Sequence, residues 1–411
     1  MHSEALRCGL LGRTLGHSYS PAIHAQLADY AYSLYEKEPE ELERFLRSGD
    51  FDGLNVTIPY KKDVIPYCAE LSDTARAIGA VNTLVRRPDG TLWGDNTDAY
   101  GFSMLVQASG ADVRGKKALV FGSGGASATA QYVLRQMGTR EIVVISRHGE
   151  DNYENLERHT DAEIAVNTTP VGMYPNTGAS PVDLSRFPKL EAALDVVYNP
   201  ARTEFLLQAE QLGLKRENGL LMLAAQAKKS CEDFIGESVE DERIGEITKT
   251  LAARMQNVIL IGMPGSGKTT VGTSVAAQLG RTFLDADAVL EQKAGMSIPE
   301  IFRREGEAGF RRRETAVLAE LGKRSGLVIA TGGGCVTRPE NYPLLHQNGT
   351  IFCLTRDLNC LPASGRPVSQ ALGAEEIYRR RKPLYERFAD VMVDNDRAVE
   401  NAVRQILEVL G

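Results

Sequence analysis

The chain has 411 residues, which is more than one compact domain usually holds and indicates two or three domains. Its composition is 43% apolar and 25% charged, so a hydrophobic core can form. The net charge of −7 excludes a broad electrostatic attraction to nucleic acid or to an anionic membrane surface.

The cysteines and the apolar runs indicate the cellular compartment of the protein. The six cysteines form no C-x-x-C pair and show no zinc spacing, which favours a reducing compartment. The N-terminal residues lack a secretory pattern, and no apolar run is long enough to span a bilayer. We therefore expect a cytoplasmic protein that binds small molecules, with no nucleic-acid or membrane partner. The sequence does not distinguish a monomer from a homodimer.

Short apolar runs alternate with amphipathic stretches from residue 6 to about 250, which predicts parallel α/β sheets. The predicted strands lie at 8–11, 53–57, 118–121, 141–145, 163–167 and 194–197. The predicted helices lie near 21–31, 39–48, 72–78, 98–109, 126–137, 203–212 and 220–235. Residues 237–255 predict a helix or a linker, and a fresh strand–loop–helix pattern begins at Asn257. We place the main domain boundary there.

A glycine-rich loop, Gly122-Ser123-Gly124-Gly125-Ala126, connects the predicted strand 118–121 to a helix. Such a loop directs backbone N–H groups at an anion and is typical of dinucleotide sites. Ser127 stands at the third glycine position, so the loop alone also fits a tight turn without a ligand. The next strand leads into Arg147, where NAD-binding proteins tend to have an acid. A guanidinium suits a 2′-phosphate, which favours NADP over NAD.

Small polar residues are dense upstream of this loop, in the segments 16–21, 55–61, 79–83 and 95–98. Their hydroxyls and amides, with Lys61 and Asp98, fit the lining of a site for a polyhydroxylated ligand. Each segment alone also fits a turn or a helix cap.

Ordered motifs over nearly all of residues 6–236 resemble the shikimate dehydrogenase family. They are GHSYSP, NVTIPYK, GAVNT, GDNTD, GSGGAS, VNTTPVGM, DVVYNP and LMLAAQAKKS. The resemblance implies that Lys61 and Asp98 are the catalytic pair. The implied substrate-binding residues are Ser18, Ser20, Thr57, Lys61, Asn82, Asp98, Tyr198 and Gln226. The implied cofactor-binding residues are Gly122, Ser123, Gly124, Gly125, Ala126, Arg147 and Gly219.

The implied pair suits the reduction of a ketone, which needs a hydride from NADPH and a proton for the developing alkoxide. Lys61 can donate that proton, or hold charge while a water does, and Asp98 can hydrogen-bond both the substrate and the ammonium. One departure from the family concerns the stretch 147–166, which is short for a strand–helix–strand unit. It also has His148-Gly149-Glu150-Asp151 where a second basic residue is often found.

A second loop, residues 262–269, fits the G-x-x-x-x-G-K-[ST] pattern between a predicted strand at 258–261 and a predicted helix. Its N–H groups would cradle phosphates, Lys268 would reach the β- and γ-phosphates, and Thr269 would contact Mg²⁺. We find no convincing guanine-specificity motif in the sequence, which favours ATP and argues against a switch GTPase.

The residues after this loop indicate a binding site for the molecule that accepts the phosphoryl group. Asp285 and Asp287 follow a second apolar run, where alternate residues can serve Mg²⁺ and a hydroxyl. Arg311 and Glu314 share one face of a predicted helix, although such a charged run also fits a solvated surface. The glycines at 332–334 permit close approach of a ligand.

Together with Arg366 in a polar loop and Arg381 at the predicted start of a late helix, these features resemble the shikimate kinase family over about residues 256–411. The resemblance implies that Arg311 and Arg381 clamp the substrate carboxylate, a role suited to the guanidinium fork. Asp287 would accept from the attacking hydroxyl. The implied substrate-binding residues are Asp287, Arg311, Gly333 and Arg381.

The resemblance also implies the nucleotide and metal contacts. Asp285 would assist Mg²⁺ together with Thr269, Glu314 would orient Arg311, and Arg366 would be the lid arginine that covers the phosphates. The lid, between Thr355 and Pro367, is short for the family. The implied ATP-binding residues are Gly262, Gly265, Ser266, Gly267, Lys268, Thr269, Thr270 and Arg366. The implied catalytic residues of this half are Asp287, Lys268 and Arg366.

The favoured hypothesis is a bifunctional enzyme of aromatic biosynthesis that uses NADP(H), ATP and Mg²⁺. The alternatives are a quinate/shikimate dehydrogenase that uses NAD, fused to a kinase, and a non-catalytic regulator that senses metabolites. We expect three α/β domains and a linker. A shikimate-binding domain would comprise 1–103 and 217–240, and a Rossmann NADP domain 104–216. The linker would be 241–255, and a P-loop domain like the nucleoside monophosphate kinases 256–411.

Overall fold

The computed structural model describes residues 6–16, 18–357 and 374–410. The described residues form two compact units. The first takes them from Met1–Val171, Ala179–Tyr198 and Gln208–Thr250. The second takes them from Gly172–Gly178, Asn199–Leu207 and Leu251–Gly411. The second unit therefore includes two short segments that precede residue 250. Within the described ranges, no helix is long and apolar enough to cross a membrane.

The first sheet has six strands in the order β2-β1-β3-β5-β6-β4. The strands are β1 (Arg7–Gly12), β2 (Ala31–Glu36), β3 (Gly53–Val56), β4 (Glu70–Leu71), β5 (Thr83–Arg86) and β6 (Leu92–Asp95). The accompanying helices are α1 (Ser20–His24), α2 (Leu42–Ser48), α3 (Asp73–Ile78) and α4 (Asp98–Ala108). Strand β1 is parallel to both its neighbours, whereas β5 is antiparallel to β3 and β6. This sheet is mixed, so the prediction of parallel sheets alone is wrong here.

The second sheet has five parallel strands in the order β11-β10-β9-β7-β8. The strands are β7 (Lys117–Phe121), β8 (Glu141–Ile145), β9 (Ile164–Asn167), β10 (Ala192–Asp195) and β11 (Lys215–Glu217). The next helices are α5 (Gly125–Gln136), α6 (Glu204–Gln211), α7 (Leu220–Ile235) and α8 (Glu242–Met255). Strand β7 is buried along its whole length, as expected for a parallel strand covered on both faces.

The third sheet has five parallel strands in the order β13-β14-β12-β15-β16. The strands are β12 (Asn257–Gly262), β13 (Thr282–Asp285), β14 (Leu327–Ala330), β15 (Gly349–Thr355) and β16 (Val391–Asp394). The helices are α9 (Lys268–Leu279), α10 (Ala286–Ala294), α11 (Ile298–Gly322), α12 (Asn341–His346), α13 (Ala374–Phe388) and α14 (Val399–Leu410).

Both faces of the third sheet carry a hydrophobic cluster. Ile259 and Ile261 pack on one side, while Val258 and Leu260 pack on the other. Because side chains alternate along a strand, a continuous apolar run of this kind needs helices on both faces. The carboxyl end of β12 is thereby fixed where the phosphate-type loop begins.

Several predicted elements need correction. The predicted helix 21–31 ends at His24, and residues 31–36 form β2, where two tyrosines suit a strand better than a helix. The strand predicted at 194–197 lies at Ala192–Asp195. Arg381 lies inside α13 rather than at its start. The segment 237–255, predicted as a helix or a linker, contains α8.

Candidate active sites

The first glycine loop begins where β7 ends. Gly122 has a φ of 110°, and a Cβ there would lie 2.8 Å from Thr168 Oγ1, so both backbone and space require glycine. Gly124 caps α5, and a Cβ on Gly124 or Gly125 would have no described heavy atom within 4 Å. The N-terminus of α5 is therefore open to an approaching anion.

Arg147 lies two residues beyond the end of β8 and is exposed. The last residues of β7 and β8, Phe121 and Ile145, are register partners, and Gly122 N donates to Ile145 O at 2.9 Å. Arg147 thus lies beyond the carboxyl end of β8, on the same side of the sheet as the glycine loop. Between β8 and β9 the chain forms a short 3₁₀ helix, Leu156–His159, in place of an α-helix.

Gly219 lies at the start of α7, and Tyr198 lies shortly after β10. A Cβ on Gly219 would lie 2.0 Å from Val196 O, so only glycine fits this close approach. The Tyr198 ring meets the Tyr19 ring edge-on, with centroids 6.2 Å apart. Burial raises the pKa of Tyr198, so its hydroxyl is protonated at neutral pH.

The predicted catalytic pair is in direct contact. Lys61 Nζ lies 2.5 Å from Asp98 Oδ2, with the two side chains 27% and 17% exposed. Asn82 Nδ2 donates to the other carboxylate oxygen, Asp98 Oδ1, at 3.0 Å. The pair is partly enclosed and held by a third side chain, so it is not the freely solvated ion pair of an exposed surface.

The remaining predicted residues are placed by other contacts. Thr57 follows β3, and its N–H donates to Leu11 O in β1 at 2.9 Å. Ser20 N donates to Ser18 Oγ at 3.2 Å. Gln226 lies on α7, which packs against α4, and its amide donates to Leu223 O at 2.9 Å. These contacts place Thr57 at the carboxyl end of β3, beside β1, and Gln226 on the helix that packs against α4, which begins at Asp98.

The second glycine loop is held in shape by backbone contacts. Gly265 and Gly267 have φ values of 85° and 93°, which favour glycine, and Gly267 caps α9. Lys268 Nζ donates to Gly262 O at 3.0 Å and to Met263 O at 2.9 Å. The buried lysine therefore braces its own loop, with its ammonium held near the phosphate cradle.

Thr269 and Asp285 meet beside this loop. Thr269 Oγ1 donates to Asp285 Oδ2 at 3.0 Å, and Asp285 Oδ1 caps α10 by accepting from Asp287 N at 3.0 Å. A hydroxyl and a carboxylate are the hard oxygen donors that Mg²⁺ prefers, and the ion usually takes its other ligands from phosphates and water. Chemically, the donor set fits Mg²⁺.

The predicted acceptor residues converge on the glycines after β14. Arg311 Nη1 lies 2.6 Å from Glu314 Oε2, with both side chains under 10% exposed. A Cβ on Gly332 would lie 2.8 Å from Asp287 Oδ1, and one on Gly334 would lie 2.1 Å from Arg311 Nη2. Burial raises the pKa of Glu314, and Arg311 opposes that shift. The solvated-surface interpretation of this charged run is wrong.

Arg381 reaches the same place from α13. Its Nη1 donates to Gly333 O at 3.0 Å, and Tyr385 OH donates to the same carbonyl. A cavity of about 270 Å³ lies between this carbonyl and the phosphate-type loop. Its lining includes Lys268, Thr269, Asp285 and Asp287.

The predicted lid arginine, Arg366, lies outside the described residues. Two residues at this site were not predicted from the sequence. Arg356 lines the cavity and donates weakly to Gly265 O at 3.5 Å. The Asn395 amide donates to Ser266 O at 2.7 Å and supports the loop from the end of β16. Neither residue belongs to a motif, and only the folded arrangement places them at the site.

The comparisons with known proteins cover both parts of the chain. The family model for the shikimate dehydrogenase substrate binding domain matches residues 10–84, and the model for shikimate kinase matches residues 264–411. A shikimate dehydrogenase (NADP(+)) from Clostridium perfringens is 36% identical over 267 residues, which cover 60% of this chain and 98% of that protein.

Two solved structures extend the comparison. The shikimate 5-dehydrogenase of Thermus thermophilus, in complex with NADP(H) and shikimate, is 33% identical with a TM-score of 0.55. The match covers 60% of this chain and 99% of that one. Quinate dehydrogenase from Corynebacterium glutamicum, in complex with NAD, is 27% identical with a TM-score of 0.55, covering 60% and 98% of the two chains.

The folds and the two sites define an enzyme that joins a dehydrogenase part to a P-loop kinase domain. The chain belongs to the shikimate dehydrogenase family through about residue 270, and residues 264–411 form a shikimate kinase domain. It is an enzyme of aromatic biosynthesis.

Proposed function

We propose that this chain catalyses two consecutive steps on one small molecule. The first is the NADPH-dependent reduction of 3-dehydroshikimate to shikimate, and the second is the phosphorylation of the 3-hydroxyl of shikimate by ATP. The observation that carries the proposal is that each part brings together charged groups of the kind that its reaction uses. Lys61 is paired with Asp98 in one, and Lys268 lies with Asp285 and Asp287 around a cavity in the other. The hydroxyl made in the first step would be the acceptor in the second.

In the reductase, Lys61 and Asp98 act at the ketone oxygen. The ammonium of Lys61 stabilises negative charge as it develops on that oxygen, and Asp98 holds the ammonium in place at 2.5 Å. The oxygen takes its proton from that ammonium or from a water molecule. Asn82 keeps Asp98 oriented through its second oxygen. The substrate hydroxyls and carboxylate are held by Ser18, Ser20, Thr57, Asn82, Tyr198 and Gln226.

The dinucleotide would bind over the first glycine loop. Its diphosphate would lie at the open N-terminus of α5, and Arg147 would contact the 2′-phosphate. When bound, NADPH supplies the hydride. Residues 122–126 and Gly219 would complete the binding surface.

In the kinase domain, Arg311 and Arg381 bind the substrate carboxylate and Asp287 orients the attacking hydroxyl. Burial disfavours the charge on Arg311, but Glu314 and Glu307 outweigh it and raise the Arg311 pKa. The guanidinium stays charged in its buried position, as carboxylate binding requires. Gly333 provides a backbone surface with no side chain in the way.

The nucleotide would occupy the second loop. Residues 262–270 would cradle the phosphates, Lys268 would neutralise charge on them, and Arg366 would cover them on closure. Thr269 and Asp285 would hold Mg²⁺, directly or through water.

The proposed domains keep the bounds expected from the sequence. They are a shikimate-binding domain (1–103 with 217–240), a Rossmann domain (104–216), a linker (241–255) and the kinase domain (256–411).

Initial rates on separate substrates test each half. The full-length protein should oxidise NADPH with 3-dehydroshikimate and should form ADP with shikimate, ATP and Mg²⁺. Faster turnover of quinate with NAD⁺ than of shikimate with NADP⁺ would instead support the quinate-type alternative. Tight metabolite binding without any turnover would support the regulatory one.

A further inference from the structure

Ser230 lies on α7, one helical turn after Gln226, and is fully buried. Its Oγ donates to Gln226 O at 3.0 Å and accepts from Asn55 Nδ2 at 2.7 Å. Two threonine hydroxyls, Thr83 Oγ1 and Thr97 Oγ1, lie 2.8 and 2.9 Å away. A serine at this position therefore joins α7 to three other segments of the first unit.

Hydrogen bonds connect Asp98 to Ser230 through Asn82 and Thr97. Asn82 Oδ1 accepts from Thr97 N at 2.7 Å, which orients the Asn82 amide. Its Nδ2 must then donate to Asp98 Oδ1 and to Thr97 Oγ1, both at 3.0 Å. Thr97 Oγ1, which accepts that bond, lies 2.9 Å from Ser230 Oγ, and either hydroxyl can donate to the other. A hydrogen-bonded chain therefore runs from Asp98 through Asn82, Thr97 and Ser230 to the backbone of α7.

A second set of side chains reaches Ser230 through Asn55. Tyr32 OH donates to Asn55 Oδ1 at 2.8 Å, which fixes the Asn55 amide so that its Nδ2 faces Ser230. The Tyr32 ring stacks on the buried ring of His24, with centroids 4.0 Å apart. The Ser230 oxygen thus accepts from an amide that Tyr32 holds in place.

We propose that Ser230 is a positioning residue for the reductase, acting through Thr97 and Asn82 on Asp98. The inference rests on the proposed roles of Lys61 and Asp98. Removing the hydroxyl leaves the Asn55 amide and the Thr97 hydroxyl without their shared partner in a buried place. Thr97 adjoins Asp98 in the chain and accepts from the Asn82 amide that holds it, so the position of Asp98 against Lys61 becomes less firmly fixed.

The test compares Ser230→Ala with Cys231→Ala in the full-length protein. Cys231 is the next residue of α7 and is equally buried, so its truncation controls for lost packing. Ser230→Ala should lower kcat for 3-dehydroshikimate about 10-fold, with KM little changed and the pH profile of kcat shifted. Cys231→Ala should leave kcat and the pH profile unchanged. Ser230→Cys, with a weaker acceptor of similar size, should fall between wild type and Ser230→Ala and serves if the alanine variant does not fold.

A double variant separates positioning from general damage. In a Lys61→Ala background, the effect of Ser230→Ala on kcat should largely disappear, because the two act as a unit. Equal losses of kcat in Ser230→Ala and Cys231→Ala would overturn this inference and leave the proposed function standing. A wild-type pH profile of kcat in both Ser230→Ala and Ser230→Cys would do the same. Absence of turnover by the unmodified chain would overturn the proposed function and, with it, this inference.

Discussion

The two sites are organised by different kinds of contact. In the dehydrogenase part, side chains hold side chains: Asn82 holds Asp98, and Asp98 holds Lys61. In the kinase domain, much of the site is held by the backbone, because Lys268 and Arg381 both donate to carbonyls of glycine-rich segments. The first site should therefore be sensitive to side-chain truncation, and the second also to any Cβ added to its glycines.

The largest effect is expected at the side-chain site. Lys61→Ala should reduce kcat/KM for 3-dehydroshikimate by about 100- to 10,000-fold, because it removes the charge that stabilises the ketone oxygen. The phosphorylation of shikimate should not change. Lys62→Ala, at the exposed neighbouring residue, is the control and should keep both activities. Normal reductase activity in Lys61→Ala would remove Lys61 from the site.

A slightly smaller effect is expected at the phosphate loop. Lys268→Ala should lower kinase kcat by about 100- to 1000-fold, since a charge aimed at the transferred phosphate is lost. NADPH oxidation should continue at the wild-type rate. Lys293→Ala, at an exposed lysine on α10, is the matched control and should leave kinase rates unchanged. Wild-type kinase rates in Lys268→Ala would contradict the assignment.

The backbone-built site can be tested with a single methyl group. An alanine at Gly334 would place its Cβ 2.1 Å from Arg311 Nη2 and displace that guanidinium. Gly334→Ala should therefore reduce kcat/KM for shikimate by about 10- to 100-fold. Gly245→Ala in α8, where the added Cβ meets no described atom within 4 Å, should have no effect on either reaction. Equal shikimate kinetics in both variants would show that Arg311 does not need this glycine.

The cofactor preference should depend on one exposed arginine. Arg147→Ala should lower kcat/KM for NADPH about 10-fold, since a charged hydrogen bond to the 2′-phosphate is lost. The value for NADH should change little. Equal losses with the two cofactors would reject the assignment.

The smallest effect on turnover, but a clear one on stability, is expected at Asp233. Burial raises its pKa from 3.8 to about 6, so the folded protein binds this proton more tightly than the unfolded chain. Ionisation of Asp233 therefore lowers the free energy of unfolding of the wild type as the pH rises from about 4 to 6, and the loss stays constant above pH 6. Relative to the wild type, the free energy of unfolding of Asp233→Asn should rise by about 2–3 kcal/mol over that range. Urea unfolding of the dehydrogenase part at several pH values measures the difference, and a pH-independent difference would contradict it.

The sequence predicted the local features of both sites well. Each glycine loop follows an apolar run, and the helix 220–235 was placed with the same bounds that the structure has. Local patterns of this kind depend on neighbouring residues, so they can be recognised without the fold.

The features that the sequence analysis missed depend on distant contacts. Ser230 meets Thr97 and Asn55 across separations of 133 and 175 residues, and no spacing along the chain indicates that they meet. The short strands β5 and β6 carry few residues of alternating pattern and are held by antiparallel pairing. The pairing of Arg311 with Glu314 was expected, but their charged sequence run did not indicate that both side chains would be buried.

The two consecutive reactions can be observed together in one sample. The direct test incubates the full-length protein with 3-dehydroshikimate, NADPH, ATP and Mg²⁺ and follows the products by NMR. We expect shikimate 3-phosphate, formed with one NADPH oxidised per molecule, and accumulation of shikimate when ATP is omitted. Oxidation of NADPH that yields no phosphorylated product with ATP present, or no oxidation at all, would contradict the proposed function.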